Sequence, residues 1–366
     1  MKRRVLVVVG TRPEAIKLAP LVRALRGEAW VECRILATSQ HRQMQDQVLD
    51  YFDLRPDRDL DLMRAGQTLA DLTARMISAM DPVLAEERPD IVLAQGDTTT
   101  VMVAALCAFY QRIRFAHVEA GLRTGDKWRP FPEEGNRAIV GRLADVHFAP
   151  TERARQNLLA EGVPLDRVHV VGNTVIDALL WTADRVDASR FRPATGRKLV
   201  LVTAHRRENF GVPLEQICLG LRALAERSDV EILYPIHPNP NVRPVVERTL
   251  GGHPRITLCD PLDYPEMVAA MQACTLILTD SGGIQEEAPS LGKPVLVLRN
   301  ETDRPEAVAA GVAWLVGADR ERILNVATRL LDDPVAWPRT ARNLYGDGRS
   351  SEAIVRILRE LLARTE

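Results

Sequence analysis

The stretch CTLILTDSGGIQEE, Cys274 to Glu287, decides how the chain is read. Its apolar half, Cys274 to Leu278, has strand character, and the adjacent Gly282 and Gly283 open a helix-like run. Neither glycine carries a Cβ, so backbone amides are free to converge on one space. Ser281 is placed to cap the new helix, whose N-terminal end favours anions. A strand, a glycine turn and a helix N-terminus in that order make a site for phosphate or pyrophosphate. Glu286 and Glu287, one turn into the helix, do not help to bind phosphate, so one of them is a candidate for ribose hydroxyls. The first expectation is a nucleotide that carries a diphosphate.

Outward from this stretch, short β-branched runs alternate with longer amphipathic ones. Strands are expected at Arg4–Val9, Val31–Ala37, Ile91–Gln95, Arg114–Val118, Val146–Ala149 and Val168–Val171. Helical patterns fall between them, at Glu14–Leu25, Leu69–Glu87, Thr99–Tyr110 and Glu152–Leu159. Such alternation predicts a parallel sheet with helices on both faces. After a polar, irregular stretch from Asp184 to Lys198 the pattern restarts at Leu199–Thr203. It continues through Glu231–Pro235, Ile256–Leu258, Thr275–Leu278, Val295–Leu298 and Val312–Val316. The expectation is therefore α/β, with two Rossmann-like, doubly wound domains at residues 1–170 and 171–350 and a ligand cleft between them. A last helix, Ser351–Arg364, follows the turn Tyr345-Gly346-Asp347-Gly348.

Composition narrows the class. The 366 residues are 46% hydrophobic and 27% charged, as in ordinary soluble globular proteins, and are too many for one small domain. A formal net charge of -1 points to neither nucleic acid nor an anionic membrane. Val5–Val9 is short and ends at a loop, so it reads as a first strand and not as a signal peptide, and no run reaches membrane-span length. The five cysteines form no CxxC pair. They read as buried thiols of a cytoplasmic protein, not as a metal site or a disulfide framework.

The motifs fall at strand ends. In GTRPEAIK, Gly10 to Lys17, Pro13 and Glu14 suit a first helical turn, while Arg12 and Lys17 are placed to reach an anion. This loop lacks the GxGxxG of dinucleotide sites, and no such fingerprint occurs elsewhere, so no bound NAD is expected. In QGDTTT, Asp97 is either a catalytic carboxylate or a helix cap, and taken alone the cap is favoured. In HVEAGLRTGD, Glu119 has small neighbours that leave room for a ligand, and Arg123 and Asp126 are expected to pair. In RPFPEEGNR, Glu133 or Glu134 in the simpler reading caps a helix. Three strand-end carboxylate sites in one domain nonetheless suit proton transfer, because crowded carboxylates raise one another's pKa. In TAHRREN, His205 with Arg206, Arg207 and Glu208 forms a polar cluster expected beside the glycine-rich site. QHRQM, with Gln40 and Gln43, reads as a polar helix start. His237 lies in a proline-shaped loop, and Arg304 is a further cation after the next strand.

Together these motifs resemble the non-hydrolysing UDP-N-acetylglucosamine 2-epimerases, nearly end to end and in the family order. The resemblance implies two Rossmann-like domains facing across a cleft, as in GT-B-like glycosyltransferases, with the C-terminal helix within 351–366 crossing back to the first domain. It implies a cytoplasmic homodimer, without cofactor or metal, that interconverts UDP-GlcNAc and UDP-ManNAc for cell-surface polysaccharide precursors. Matched by motif, the catalytic residues fall on Asp97, Glu119, Glu133 and His205. Substrate contacts fall on Arg12, Lys17, Arg137, Ser281, Gly282, Gly283, Glu287 and Arg304, with Glu287 at the ribose. Leu262 and Met267 stand where some relatives place Gln and Phe against uracil. Gln40, Gln43, Arg206, Glu208 and His237 match a second, activating UDP-GlcNAc site of some bacterial relatives, in which Gly66 replaces an Arg.

The implied chemistry expels UDP from C1 while a base takes the C2 proton, giving 2-acetamidoglucal, and then reverses on the opposite face. It needs carboxylates at C2, a grip on the diphosphate and a closed site. The rival expectations are a UDP-sugar glycosyltransferase, which needs an acceptor; a hydrolysing epimerase, which releases UDP and ManNAc; and a sensor, which binds without turnover.

Overall fold

Parallel strands covered by helices on both faces are buried throughout and read as unbroken apolar runs. Val5 to Val9 and Ile91 to Gln95 fit that rule, since every residue in both runs is buried. The computed structural model describes residues 2–38, 42–64, 66–193, 196–333, 335, 337–338 and 343–363. These residues form two compact units, Met1–Ala178 with Tyr345–Glu366, and Leu179–Leu344.

The first unit runs β1 (Arg3–Val9), α1 (Arg12–Arg26), β2 (Val31–Ala37), α2 (Arg42–Tyr51), β3 (Arg58–Asp59), α3 (Leu69–Glu87), β4 (Ile91–Gln95), α4 (Thr99–Tyr110), β5 (Arg114–Val118), α5 (Glu133–Leu143), β6 (Val146–Ala149), α6 (Glu152–Ala160), β7 (Val168–Val170) and α7 (Thr174–Ala183), which continues into the second. Its sheet has the order β3-β2-β1-β4-β5-β6-β7, all parallel. Its core packs Met76 and Met80 of α3 with Val101, Ala104 and Ala108 of α4 against Leu6, Val8 and Val92.

The second unit runs β8 (Lys198–Thr203), α8 (Val212–Ala225), β9 (Val230–Pro235), α9 (Arg243–Leu250), β10 (Ile256–Cys259), α10 (Tyr264–Ala273), β11 (Leu276–Thr279), α11 (Gly282–Ser290), β12 (Val295–Val297), α12 (Pro305–Ala309), β13 (Ala313–Leu315) and α13 (Arg320–Asp332). Its parallel sheet has the order β10-β9-β8-β11-β12-β13. Both sheets reverse direction of growth beside their first strand, between β1 and β4 and between β8 and β11. Open α/β sheets bind ligands at this switch point. Each unit is doubly wound, in the expected α/β class.

The last helix, α14 (Ser350–Ala363), belongs to the first unit. The Asp177 carboxylate of α7 accepts from the amides of Ser350 at 3.2 Å and Ser351 at 2.7 Å, capping α14 from outside its own sequence. The Asn173 amide donates to the Tyr345 carbonyl at 2.6 Å. Gly172 (φ 85°) lets these backbones meet, because a Cβ there would lie 2.7 Å from Ser350 Oγ. Strand β3 was not expected from the sequence; two residues at a sheet edge give too short a run to read. The strands and helices that were given bounds differ from expectation chiefly at their ends, whereas α7 and the helices α8, α9, α10, α12 and α13 were given none.

Candidate functional site

At the first switch point the residues come from loops after β1, β4 and β5 and from the start of α5. Thr11 and Glu14 form a capping box at α1. Glu14 does more than cap. Its Oε2 accepts from the amides of Gly10 at 2.6 Å and Thr11 at 2.9 Å, and its Oε1 accepts from Thr98 Oγ1 at 2.6 Å. One buried carboxylate thus ties the β1 loop to the β4 loop. Burial pushes this carboxyl up to about 7, with the three donors and then nearby Asp97 as smaller influences. Gly10 is required there because a Cβ would fall 2.4 Å from Thr100 Oγ1.

Glu119 follows β5 with φ 63°, the left-handed region that a side chain with a Cβ rarely adopts. It is buried, and its Oε2 accepts from Lys17 Nζ at 2.5 Å and from Gln95 Nε2 at 2.6 Å. Strain of this kind persists only where the surroundings over-determine it, and it clusters at functional sites. Gly121, two residues on, has φ 93°, and a Cβ there would lie 2.2 Å from the Ala154 carbonyl oxygen.

Asp97 does not cap its helix. Thr98 is the N-cap of α4, which frees the Asp97 side chain. Asp97 Oδ2 instead pairs with Arg137, with Nε at 2.9 Å and Nη2 at 2.7 Å. Arg137 is buried and also reaches Glu134 at 2.8 Å. Neither Glu133 nor Glu134 caps α5, whose N-cap position is Pro132 without a side-chain bond. Glu134 Oε1 takes the amides of Thr124 and Gly125. Glu133 Oε2 is buried without a hydrogen-bond partner among the described residues. The expected Arg123–Asp126 pair is also corrected: Arg123 pairs with Glu161 at 2.7 Å. Arg12 is exposed. The first unit therefore carries two polar groups at this switch point, Lys17 with Glu119 and Arg137 with Asp97, with Glu133 opening the helix that bears Arg137.

Behind it lie two buried histidines. His117 Nε2–H donates to the Gly96 carbonyl at 2.7 Å, and burial pushes this ring down to about 4. His147 packs edge-on to it, and burial pushes it to about 3. Burial thus favours the neutral form of both rings.

At the second switch point, Ser281 occupies the N-cap of α11 but makes no side-chain capping bond, contrary to expectation. The first-turn amides of Gly282, Gly283 and Ile284 thus have no cap from Ser281 and head a helix whose dipole favours an anion. The Arg304 guanidinium closes over them; a Cβ on Gly282 would lie 3.2 Å from it. Glu286 explains half of the unusual Glu286–Glu287 pair: its Oε1 accepts from Arg304 Nε at 2.7 Å and holds that cation in place. Glu287 is buried and accepts from Tyr264 at 3.4 Å. Leu262 and Met267, considered for uracil, are both partly buried near the start of α10.

His205 and Arg206 follow β8, and their amides both donate to Asp280 Oδ2 at 2.9 Å, which places the histidine loop beside Ser281. The His205 ring stacks on that of His237, 5.3 Å between centroids and 13° from parallel. Glu208 accepts from Arg299 at 2.6 Å, and burial followed by the Arg299 charge holds the Arg206 guanidinium below its ordinary value. Of the residues matched to an activating site, Gln40 and the Gln43 side chain lie outside the described residues, and Gly66 has φ 70°. Sequence reading named Glu14, Glu134 and Glu286 without the partners they have here, and gave no role to Gln95 or Asp280. Of these two, Asp280, between strand and glycines, carried a local signal. Among the described residues no group of three or more His, Cys, Asp or Glu is placed to hold a metal.

The family model described as UDP-N-acetylglucosamine 2-epimerase matches residues 23–359. The chain belongs to this family. A Yersinia pestis UDP-N-acetylglucosamine 2-epimerase is 52% identical over 97% of this chain and 98% of its own length. The crystal structure of UDP-GlcNAc 2-epimerase from Neisseria meningitidis bound to UDP-GlcNAc superposes with TM-score 0.92 at 44% identity, covering 98% of this chain and all of that one. A Listeria monocytogenes structure of a family member superposes with TM-score 0.94 at 46% identity, covering 100% of this chain and 98% of that one. Similarity at this level spans both units of the epimerase fold, including the α14 return.

Proposed function

We propose that this family member interconverts UDP-GlcNAc and UDP-ManNAc without releasing free sugar. The observation that carries the reading is Glu119: a buried carboxylate in left-handed backbone, gripped by Lys17 and Gln95 at 2.5 and 2.6 Å. Relatives bearing the epimerase name at about half identity support the substrate, as does the Neisseria structure's bound UDP-GlcNAc.

In this reading the uncapped amides of α11 and Arg304 hold the diphosphate, and Glu287 takes the ribose. Arg12 and Lys17 add positive charge beside the reacting sugar. A carboxylate among Asp97, Glu119 and Glu133 removes the C2 proton as the C1–O bond breaks and its electron pair leaves with UDP. The second face of C2 is then protonated by another member of the set, and UDP attacks C1 to restore the glycosidic bond. His205 serves the leaving and returning diphosphate. A pair of acid–base groups on one carbon is what inversion demands. The absence of a dinucleotide fingerprint in the loop after β1 speaks against transient oxidation by a bound NAD. The same reading takes the chain as a cytoplasmic homodimer with two domains near 1–170 and 171–350, and leaves Arg206, Glu208 and His237 as the candidate activating contacts.

Incubation with UDP-GlcNAc, or separately with UDP-ManNAc, and no acceptor, resolved by anion-exchange chromatography, tests the class. UDP-ManNAc approaching a fixed ratio from either direction is expected. Stoichiometric UDP with free ManNAc would make it a hydrolysing enzyme, and no change without an acceptor would make it a glycosyltransferase or a sensor.

A further inference from the structure

Asp280 is fully buried, yet its two oxygens are used unequally. Oδ2 accepts three hydrogen bonds: from the amides of His205 and Arg206, and from Asn209 Nδ2, each at 2.9 Å. Oδ1 is buried with no hydrogen-bond partner among the described residues. The cation-forming atom facing it is His205 Nδ1 at 3.5 Å, within ion-pair reach though longer than a hydrogen bond. The opposite restraint on the ring is the parallel stack against His237, whose own Nδ1 is occupied by the Asn239 amide at 3.2 Å. A carboxylate behind one ring nitrogen and a flat face against a second ring fix both the orientation and the tautomer of His205. A buried carboxylate with an unused oxygen is costly unless that oxygen is satisfied in some working state.

We propose that Asp280 is the positioning residue for His205, holding its Nδ1–H so that Nε2 is the atom presented to the departing diphosphate. The inference rests on the epimerase reading above. In the forward step the imidazolium gives its Nε2 proton to a β-phosphate oxygen as the C1–O bond breaks. The neutral ring that remains carries its hydrogen on Nδ1, against Asp280. Re-addition of UDP returns the proton to Nε2, so the cycle is balanced. The Asp280 carboxylate offsets the charge of the imidazolium and does not itself change protonation.

The test combines tautomer and turnover. In uniformly 15N-labelled protein, the His205 ring signals are assigned by their loss in His205→Gln. The neutral ring is expected as the Nδ1–H tautomer in the native chain and as Nε2–H in Asp280→Asn, whose amide would donate to Nδ1. Asp280→Asn should cut kcat about tenfold or more, as loss of a histidine-orienting carboxylate does elsewhere, with the Kd for UDP unchanged. In the His205→Gln background the same change should cost nothing further, because a residue acting through another is non-additive. An Nε2–H tautomer in the native chain, full kcat in Asp280→Asn, or additive losses would each overturn the proposal. The native tautomer decides it even if the variant does not fold. A native chain inert on UDP-GlcNAc would instead sink the epimerase reading, and the tautomer would still be read.

Discussion

Glu14 shows how much one side chain does beyond its local role. Read locally it is the N3 member of a capping box; in the fold it joins the Gly10–Thr11 amides to Thr98 and so ties the loop after β1 to the loop that carries Asp97. Burial holds its carboxyl near 7 against 4.5 when unfolded. Above pH 4.5 the unfolded chain ionises while the folded one keeps its proton, so this group's contribution to stability falls as pH rises from 4.5 to about 7. Glu14→Gln should remove that component, worth about 3 kcal/mol at most. Chemical denaturation at pH 5 and pH 7.5 checks it: the variant should gain on the native chain as pH rises, and a constant difference would contradict the assignment. Asp97 and Glu119 are the residues expected to move protons. Asp97→Asn and Glu119→Gln should each lower kcat by about 10²- to 10⁴-fold. Calorimetry should find UDP binding retained in both, since Gly282, Gly283, Glu287 and Arg304, proposed to hold the diphosphate and ribose, lie in the other unit.

The element that decided the fold, α11 with the strand before it, also carries the clearest binding prediction. Gly282→Ala puts a Cβ 3.2 Å from the Arg304 guanidinium, which must shift off the amides it covers. Helix propensity favours alanine by about 1 kcal/mol, so the thermal midpoint should hold or rise slightly. The KM for UDP-GlcNAc should nevertheless rise about tenfold, a cost near 1.4 kcal/mol. A stable variant with unchanged KM would remove the Arg304 clamp from the account. Such close approaches were only half legible in the sequence. Two adjacent glycines announce that a backbone must be bare, but which side chain fills the space depends on an arginine 22 positions later. The Asp97 outcome has the same origin: aspartate and threonine both cap helices, and only the backbone shows that Thr98 takes the cap. Arg123 likewise found Glu161, just past the end of α6, in place of its near neighbour Asp126. Strand patterns are local and were readable, except for β3; the helices of the first unit were largely readable too, while most of those in the second were implied only by the alternation. Ion pairs between elements are set by tertiary packing and were not readable.

For the whole molecule, the strand–helix rhythm and its restart near Leu199 carried the architecture, because fully buried parallel strands are written as apolar runs. The core also sets the response to acid. His117 and His147 stay neutral when folded, near 4 and 3, while unfolded histidines take protons below about 6.5. The unfolded state therefore binds more protons in acid, and stability should fall as pH drops from 6.5, at up to about 1.4 kcal/mol per pH unit for each ring. Between 4.5 and 6.5 the two rings oppose and exceed the single Glu14 contribution. His147→Leu should flatten the acid limb in urea titrations, whereas an unchanged limb would assign acid sensitivity elsewhere.

The central claim is cofactor-free inversion at C2 by proton removal. The most direct measurement is proton NMR of UDP-GlcNAc with the protein in deuterated water, without acceptor or NAD. The account predicts UDP-ManNAc signals growing while deuterium enters C2 of both sugars. Interconversion that retains the C2 proton in both sugars would contradict it.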